Sequence, residues 1–164
     1  MNISKVLIMI LFFAFAGCAH VISQDAMQDI NRDVSFEMVL KNPDAFIGET
    51  LLLGGDIIET QLFQGKTLLT VLQRPLDFNT KPRVGRKSAG RYIVEVPEFL
   101  DPAIYTAGRR ITVAGVLVGK EIRPLGNTSY LYPILRRKEI YLWPRETDWN
   151  GPRFYFGFGL FHGF

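Results

Sequence analysis

Reactive chemistry is scarce in this sequence. Among 164 residues there is one cysteine and there are two histidines, which excludes an internal disulfide framework and a cysteine-rich zinc site. His20 and His162 lie at opposite ends of the chain, so no histidine triad or metal cluster is evident. Long apolar runs are missing too. The uncharged stretch Val6 to Ala16 has eleven residues, against about 20 for a membrane-spanning helix. The charge surplus is small, 19 Lys and Arg against 16 Asp and Glu, too little to argue for a nucleic-acid partner. No repeat at solenoid or propeller spacing occurs. What is abundant is apolar and aromatic: 48% hydrophobic residues, 13% aromatics and thirteen Phe. Such a composition suits one ordinary domain that buries its core without disulfides.

Nor do the acids form a catalytic set. Asp56, Asp77, Glu95, Asp101 and Glu121 fall on or near separate strand ends, and nothing in their spacing brings two into a glycosidase-like pair. Asp101 before Pro102 reads as a turn cap. Gly65-Lys66-Thr67 has the ending of a phosphate-binding loop, but Thr60 stands where that loop needs glycine and β-like runs flank it on both sides. It reads as a hairpin turn. No catalytic residue, metal site or cofactor is expected.

The amino terminus carries a stronger signal. Lys5 precedes the eleven-residue apolar run, which has the length of a secretory h-region, and the run closes on Phe15-Ala16-Gly17-Cys18. That closing sequence resembles the lipobox of bacterial lipoproteins, with Phe15 in place of the usual Leu. The resemblance implies a signal peptide over residues 1–17, cleavage before Cys18, and acylation of that cysteine, which would then be neither nucleophile nor metal ligand. Ala19 rather than Asp after the cysteine implies, for enterobacterial-type lipoproteins, release to the outer membrane. Residues 18–33, polar and mixed, read as lipid anchor and tether.

Beyond the tether, Ser35 is placed to cap a short helix over Phe36 to Lys41, ended by Asn42-Pro43. After Gly48 the chain turns to short β-rich runs: Thr50–Ile58, Thr67–Gln73, Tyr92–Val96, Ile111–Val118, Tyr130–Leu135 and Glu139–Trp143. Gln64-Gly65, Pro75–Gly90, Asp101-Pro102 and Arg123–Asn127 carry turn or loop chemistry. In Ile111–Val118 both faces are apolar, as in a strand covered twice, and Gly115 marks a bend or bulge. The fold class is mainly β, a small OB-like barrel over residues 34–146 with one short N-terminal helix.

Two further features are candidates for contact. Lys81, Arg83, Arg86, Lys87 and Arg91 place five cations in eleven residues without an acid, which reads either as a solvated loop or as a contact for lipid head groups, lipopolysaccharide phosphates or another anionic envelope polymer. Residues 147–164 form an aromatic, Gly-rich tail. There Phe154, Phe156 and Phe158 alternate at strand period, followed by Phe161 and Phe164, as for a partner's sheet edge, the bilayer interface, a last strand packed on the domain or a frayed end.

The order of landmarks then points to a family. Phe36–Val39 and Asn42-Pro43 precede Phe46-Ile47-Gly48, Leu53-Gly54-Gly55-Asp56-Ile57 and Val71-Leu72-Gln73-Arg74-Pro75-Leu76-Asp77. Phe99-Leu100-Asp101-Pro102, Tyr105, Gly108-Arg109, Val113–Gly115, Tyr130–Pro133 and Leu142-Trp143-Pro144 complete the series. This resembles the Slp (starvation lipoprotein) family of Gram-negative outer-membrane lipoproteins. The resemblance implies a periplasm-facing OB-like domain held to the outer membrane by lipid and associated with stationary phase and envelope stress. It supplies no catalytic residues. The expected function is therefore a non-enzymatic structural, interaction or envelope-stress role, with membrane lipid, an envelope protein or lipopolysaccharide as partner and no nucleic acid. The alternative is a tethered periplasmic module that binds or converts a small ligand in the barrel mouth.

Overall fold

A computed structural model describes residues 21–145. The leader, Cys18, both histidines and the aromatic tail from Phe154 to Phe164 lie outside the described residues. Five strands build the body: β1 (Thr50–Phe63), β2 (Lys66–Arg74), β3 (Arg91–Val96), β4 (Arg110–Leu125) and β5 (Thr128–Leu142). They close into a barrel in the order β1-β2-β3-β5-β4. All pairs are antiparallel except β3 with β5, which runs parallel through Ile93 opposite Ile134. This closed five-stranded barrel is of the OB type.

Turn chemistry sets the register. Gln64 and Gly65 both take positive φ, 47° and 81°, so β1 and β2 join through a two-residue type I′ turn. The expected hairpin at Gly65-Lys66-Thr67 is thus present, with Phe63 opposite Lys66. At the β4–β5 end only Gly126 of the two turn residues has positive φ, 61°, the type II′ arrangement. The sequence reads six β runs and a loop over Arg123–Asn127, whereas five strands form. β4 continues to Leu125, leaving only Gly126-Asn127 to turn. β5 runs unbroken through Arg136-Arg137-Lys138, because a bulge opposite Ala114 and Gly115 absorbs the extra residue. Gly115 thus marks a bulge, as expected.

Inside, Leu51, Leu53, Ile57, Leu69, Val71, Val94, Ile111, Val113, Leu117 and Leu135 fill the barrel. The short helix Phe36–Lys41 (α2, with Gln24–Gln28 as α1) forms where the sequence places it. Ser35 Oγ accepts from the Met38 amide at 3.3 Å, and the helix sends Phe36 and Val39 into the core. Phe36 meets Tyr92 edge-on at 5.7 Å between ring centroids. Tyr92 is wholly buried, its hydroxyl has no hydrogen-bond partner among the described residues, and burial pushes its pKa far above the ordinary tyrosine value.

The outer face of β4 is covered as well, which the two-sided apolar pattern predicted. Leu52, Ala114 and Glu139 form one row across β1, β4 and β5, and Gly54, Thr112 and Tyr141 the next. Residues 21–33, which the polar composition assigns to a tether, dock on these rows from Val21 onward. Ile22 is 1% exposed and packs with Ala26, Ala114, Leu52 and Tyr141. The Glu139 carboxylate accepts from the Ser23 amide at 3.0 Å and from Ser23 Oγ at 2.7 Å. Lys138 pairs with Asp29 at 2.5 Å, and the Asn31 amide donates to the Thr50 carbonyl at 2.9 Å.

Candidate functional site

Next to the docked N-terminal segment, the same outer face carries the basic loop, residues 75–90. Its base is tightly tied. Asp77 Oδ1 accepts from the amides of Asn79 at 2.9 Å and Lys81 at 2.8 Å, Thr80 takes a positive φ of 61°, and the Arg83 amide donates to the Pro75 carbonyl at 2.9 Å. Leu76 and Pro82, joined by a β-bridge, lie over Gly54. A Cβ added there would overlap Leu76 Cδ2 and come within 2.9 Å of Pro82 Cγ, so glycine is what lets the loop sit flat on β1. Thr112 Oγ1 donates to the Thr80 carbonyl at 2.6 Å and accepts from Trp143 Nε1 at 2.9 Å. Lys81 Nζ lies 5.5 Å from the centre of the Trp143 ring, within cation–π range.

The five expected cations separate into three kinds. Lys81 is engaged with Trp143, whereas Arg83, Arg86 and Lys87 are exposed and their side chains have no acidic partner among the described residues. Arg91 has left the loop: it opens β3, its amide donating to the Tyr130 hydroxyl at 3.0 Å. Sequence reasoning missed the apolar residues that stand among these charges, Phe78 at 90% exposed and Val84 at 69%. Their signal was an aromatic and a β-branched residue inside a turn-rich basic stretch.

Several other charges on the barrel are paired. Arg74 binds Asp56 at 2.7 Å, Lys120 binds Asp44 at 2.5 Å, and Arg137 meets Glu98. On β3, Glu95 accepts from Lys66 at 2.5 Å and from Arg136 at 3.1 Å. Those two hydrogen bonds, the Lys66 one foremost, hold its carboxyl below the ordinary glutamate value. A depressed folded-state pKa gives stability that is present above the unfolded pKa and lost as pH falls through the folded one. Wild-type stability is accordingly expected to fall on acidification through and below the ordinary glutamate range. A Glu95→Gln variant is expected to be less stable at neutral pH and to converge on wild type in acid. Urea midpoints measured across that range would show it, and parallel curves would refute it.

The small-ligand alternative places its ligand in the barrel mouth. The barrel is filled by aliphatic side chains together with Phe36 and Tyr92, and a cleft of about 310 Å³ opens between Arg109, Arg110, Trp143 and Arg145. Among the described residues no helix is long and apolar enough to cross a membrane, and no group of three His, Cys, Asp or Glu could hold a metal ion.

The sequence profile of the outer membrane lipoprotein Slp family matches residues 15–159. The chain belongs to the Slp family. It is 30% identical over 135 residues to the lipoprotein YeaY of Escherichia coli K12, covering 77% of this chain and 68% of YeaY. The outer membrane protein Slp of the same organism is 28% identical over 147 residues, 87% of this chain and 77% of that one. A Haemophilus influenzae protein is 32% identical over 105 residues, 63% of this chain and 57% of its own length. Among solved structures, the mitochondrial single-stranded DNA binding protein Rim1 of S. cerevisiae is similar at 16% identity with a TM-score of 0.37, covering 58% of this chain and 94% of that one. A small single-stranded DNA-binding protein of Streptomyces coelicolor gives 14%, 0.35 and the same coverages. In this Slp-family lipoprotein the Val71–Asp77 block ends β2 and opens the basic loop, and Leu142-Trp143-Pro144 ends β5 beneath it. Two of the landmarks used for recognition therefore meet on one face of the barrel.

Proposed function

We propose that this Slp-family lipoprotein is a non-catalytic domain held on the periplasmic side of the outer membrane by acylated Cys18, with a structural, interaction or envelope-stress role. The observation that carries the proposal is the sequence Phe15-Ala16-Gly17-Cys18 followed, three residues after the cysteine, by chain that is already docked on the barrel at Val21 and Ile22. An acyl anchor at that point holds a folded body at the bilayer rather than on a long leash. Two acyl signals suffice for stable membrane attachment, and a lipoprotein cysteine carries three chains. A non-catalytic role is supported by a buried core cluster that is apolar apart from the Tyr92 hydroxyl and by ion-paired carboxylates on the outside of the barrel. The tail residues Phe154, Phe156, Phe158, Phe161 and Phe164 are proposed as contacts to an envelope partner or the membrane.

The test is the intact mass of detergent-extracted protein from a Gram-negative host, beside a Cys18→Ser control. The expected product begins at Cys18 and carries three acyl groups, and the control carries none. Protease added to intact cells should spare the protein and digest it only after the outer membrane is opened. An unacylated wild-type chain would overturn the anchor, and digestion in intact cells would overturn the orientation.

A further inference from the structure

We infer that the loop over residues 75–90 is a second membrane contact, which inserts Phe78 and Val84 among lipid chains and places Arg83, Arg86 and Lys87 against anionic phospholipid head groups of the leaflet holding the anchor. The inference rests on the proposed acylation of Cys18 and adds to it an orientation of the barrel. Three observations converge on it.

First, the loop has the composition of an interfacial segment. Phe78 is 90% and Val84 69% exposed, so both carry apolar surface whose removal from water by acyl chains is favourable. The cations beside them have no acidic partner among the described residues, so no charge within the barrel competes with head-group phosphates. Apolar side chains that enter the acyl boundary while neighbouring Lys and Arg hold the head groups are the two terms of interfacial binding.

Second, the display is built rather than left to chance. The turn is tied by Asp77, and the loop is seated on Gly54, Thr112 and Trp143. The tip therefore keeps its direction without a partner.

Third, the covalent geometry brings lipid to it. Three peptide steps separate Cys18 from Val21, so the acylated cysteine lies at most about 11 Å from the docked segment. That segment covers the row of Ala114 and Glu139 and touches Tyr141, while the loop covers Thr112 and Trp143 on the same two strands. Two residues along a strand is about 7 Å. Anchor and loop thus leave adjacent places on one face, and a bilayer that takes the acyl chains lies within reach of the loop.

The experiment uses the acylated full-length protein carrying Phe78→Cys. The sulfur of Cys18 is blocked by lipid, so the new thiol takes an environment-sensitive fluorophore alone. The labelled protein is reconstituted into vesicles of phosphatidylcholine, with or without phosphatidylglycerol, that carry a lipid-borne quencher. A twin labelled through Asn127→Cys, at the far end of the β4–β5 hairpin, serves as control. The expected result is a blue shift and strong quenching at position 78 in phosphatidylglycerol vesicles, weaker quenching in phosphatidylcholine, and none at position 127. Replacing Arg83, Arg86 and Lys87 together by Gln should lower the ratio of quenched to unquenched loop about 100-fold, at roughly 5-fold per cation. Flotation with vesicles but an unquenched position 78 would overturn the loop contact and leave the anchor standing. Equal quenching in both vesicle types would overturn the role of the charges. Quenching that needs lipopolysaccharide in the vesicles would overturn the phospholipid assignment. Failure of the protein to float with any vesicle, with no acyl mass, would instead mark failure of the anchor.

Discussion

Gly55→Ala is expected to lower the stability of the barrel by about 3 kcal/mol, the upper end of ordinary overpacking costs. Gly55 sits in the middle of β1, opposite Gln73 on β2 and Ile111 on β4. A Cβ added there would press on the Leu72 carbonyl oxygen and lie 2.7 Å from Val71 Cγ1 and 2.8 Å from the Leu72 carbonyl carbon. The nearest obstacle is backbone, so no rotamer change relieves it. β1 and β2 must part, and in a closed barrel a parting at one seam strains the others. Marginal stabilities of about 5–15 kcal/mol make this a large fraction of the whole. Gly119→Ala is the matched control, since it lies in the same sheet, has no positive φ and would meet nothing within 4 Å. Its cost should stay within about 0.5 kcal/mol. Denaturant midpoints of the two variants beside wild type decide the matter, and equal midpoints would show that the barrel yields at Gly55.

That pair of glycines also shows how much of the fold could be read in advance. β-rich runs split by Gly and Pro located every strand, because those residues punctuate a sheet wherever the chain turns. Ser35 and Gln64-Gly65 located a cap and a hairpin, because their chemistry is local. Strand ends were harder. Nothing local to Arg136-Arg137-Lys138 says that three charged residues continue a strand; that follows from a bulge beside Gly115, which needs the partner strand to exist. Gly54-Gly55 signals close approach, but not that Leu76 and Pro82 of the basic loop supply it at Gly54. The docking of residues 21–33 was masked by polar composition, although Ile22, Ala26, Met27 and Ile30 recur at helical spacing and Ser23 stands one residue before the helix. As for the candidate site, the basic loop was legible as charge. Its seat on Trp143, the departure of Arg91 into β3 and the exposure of Phe78 depend on contacts between segments far apart in sequence.

The docked segment is where fold and proposed function meet, and Ile22→Asp separates them. Ile22 is 1% exposed in a small cluster with Ala26 and Ala114, so an aspartate there would bury a carboxylate without a cationic partner. That penalty is several kcal/mol when a charge is held in place, more than one cluster of a few apolar residues returns. The segment should therefore detach rather than pull the barrel apart, whose core of Val113, Leu117 and Leu135 lies on the other side of the sheet. Hydrogen exchange distinguishes the two cases. The Met27 amide, bonded to the Ser23 carbonyl, and the Asn31 amide, bonded to the Thr50 carbonyl, are expected to exchange at least about 100-fold faster in the variant, while the Val113 amide stays protected. Unchanged exchange at Met27 and Asn31 would show that the segment is held by the Ser23–Glu139 and Lys138–Asp29 contacts instead. Detachment of residues 21–33 would lengthen the link from Cys18 to the packed Val34 to a reach of up to about 55 Å. The barrel would then hang freely, and the basic loop would find the bilayer only through its own affinity. Membrane attachment should survive in that variant while quenching at position 78 falls, because the acyl chains hold the protein and the docked segment holds its orientation.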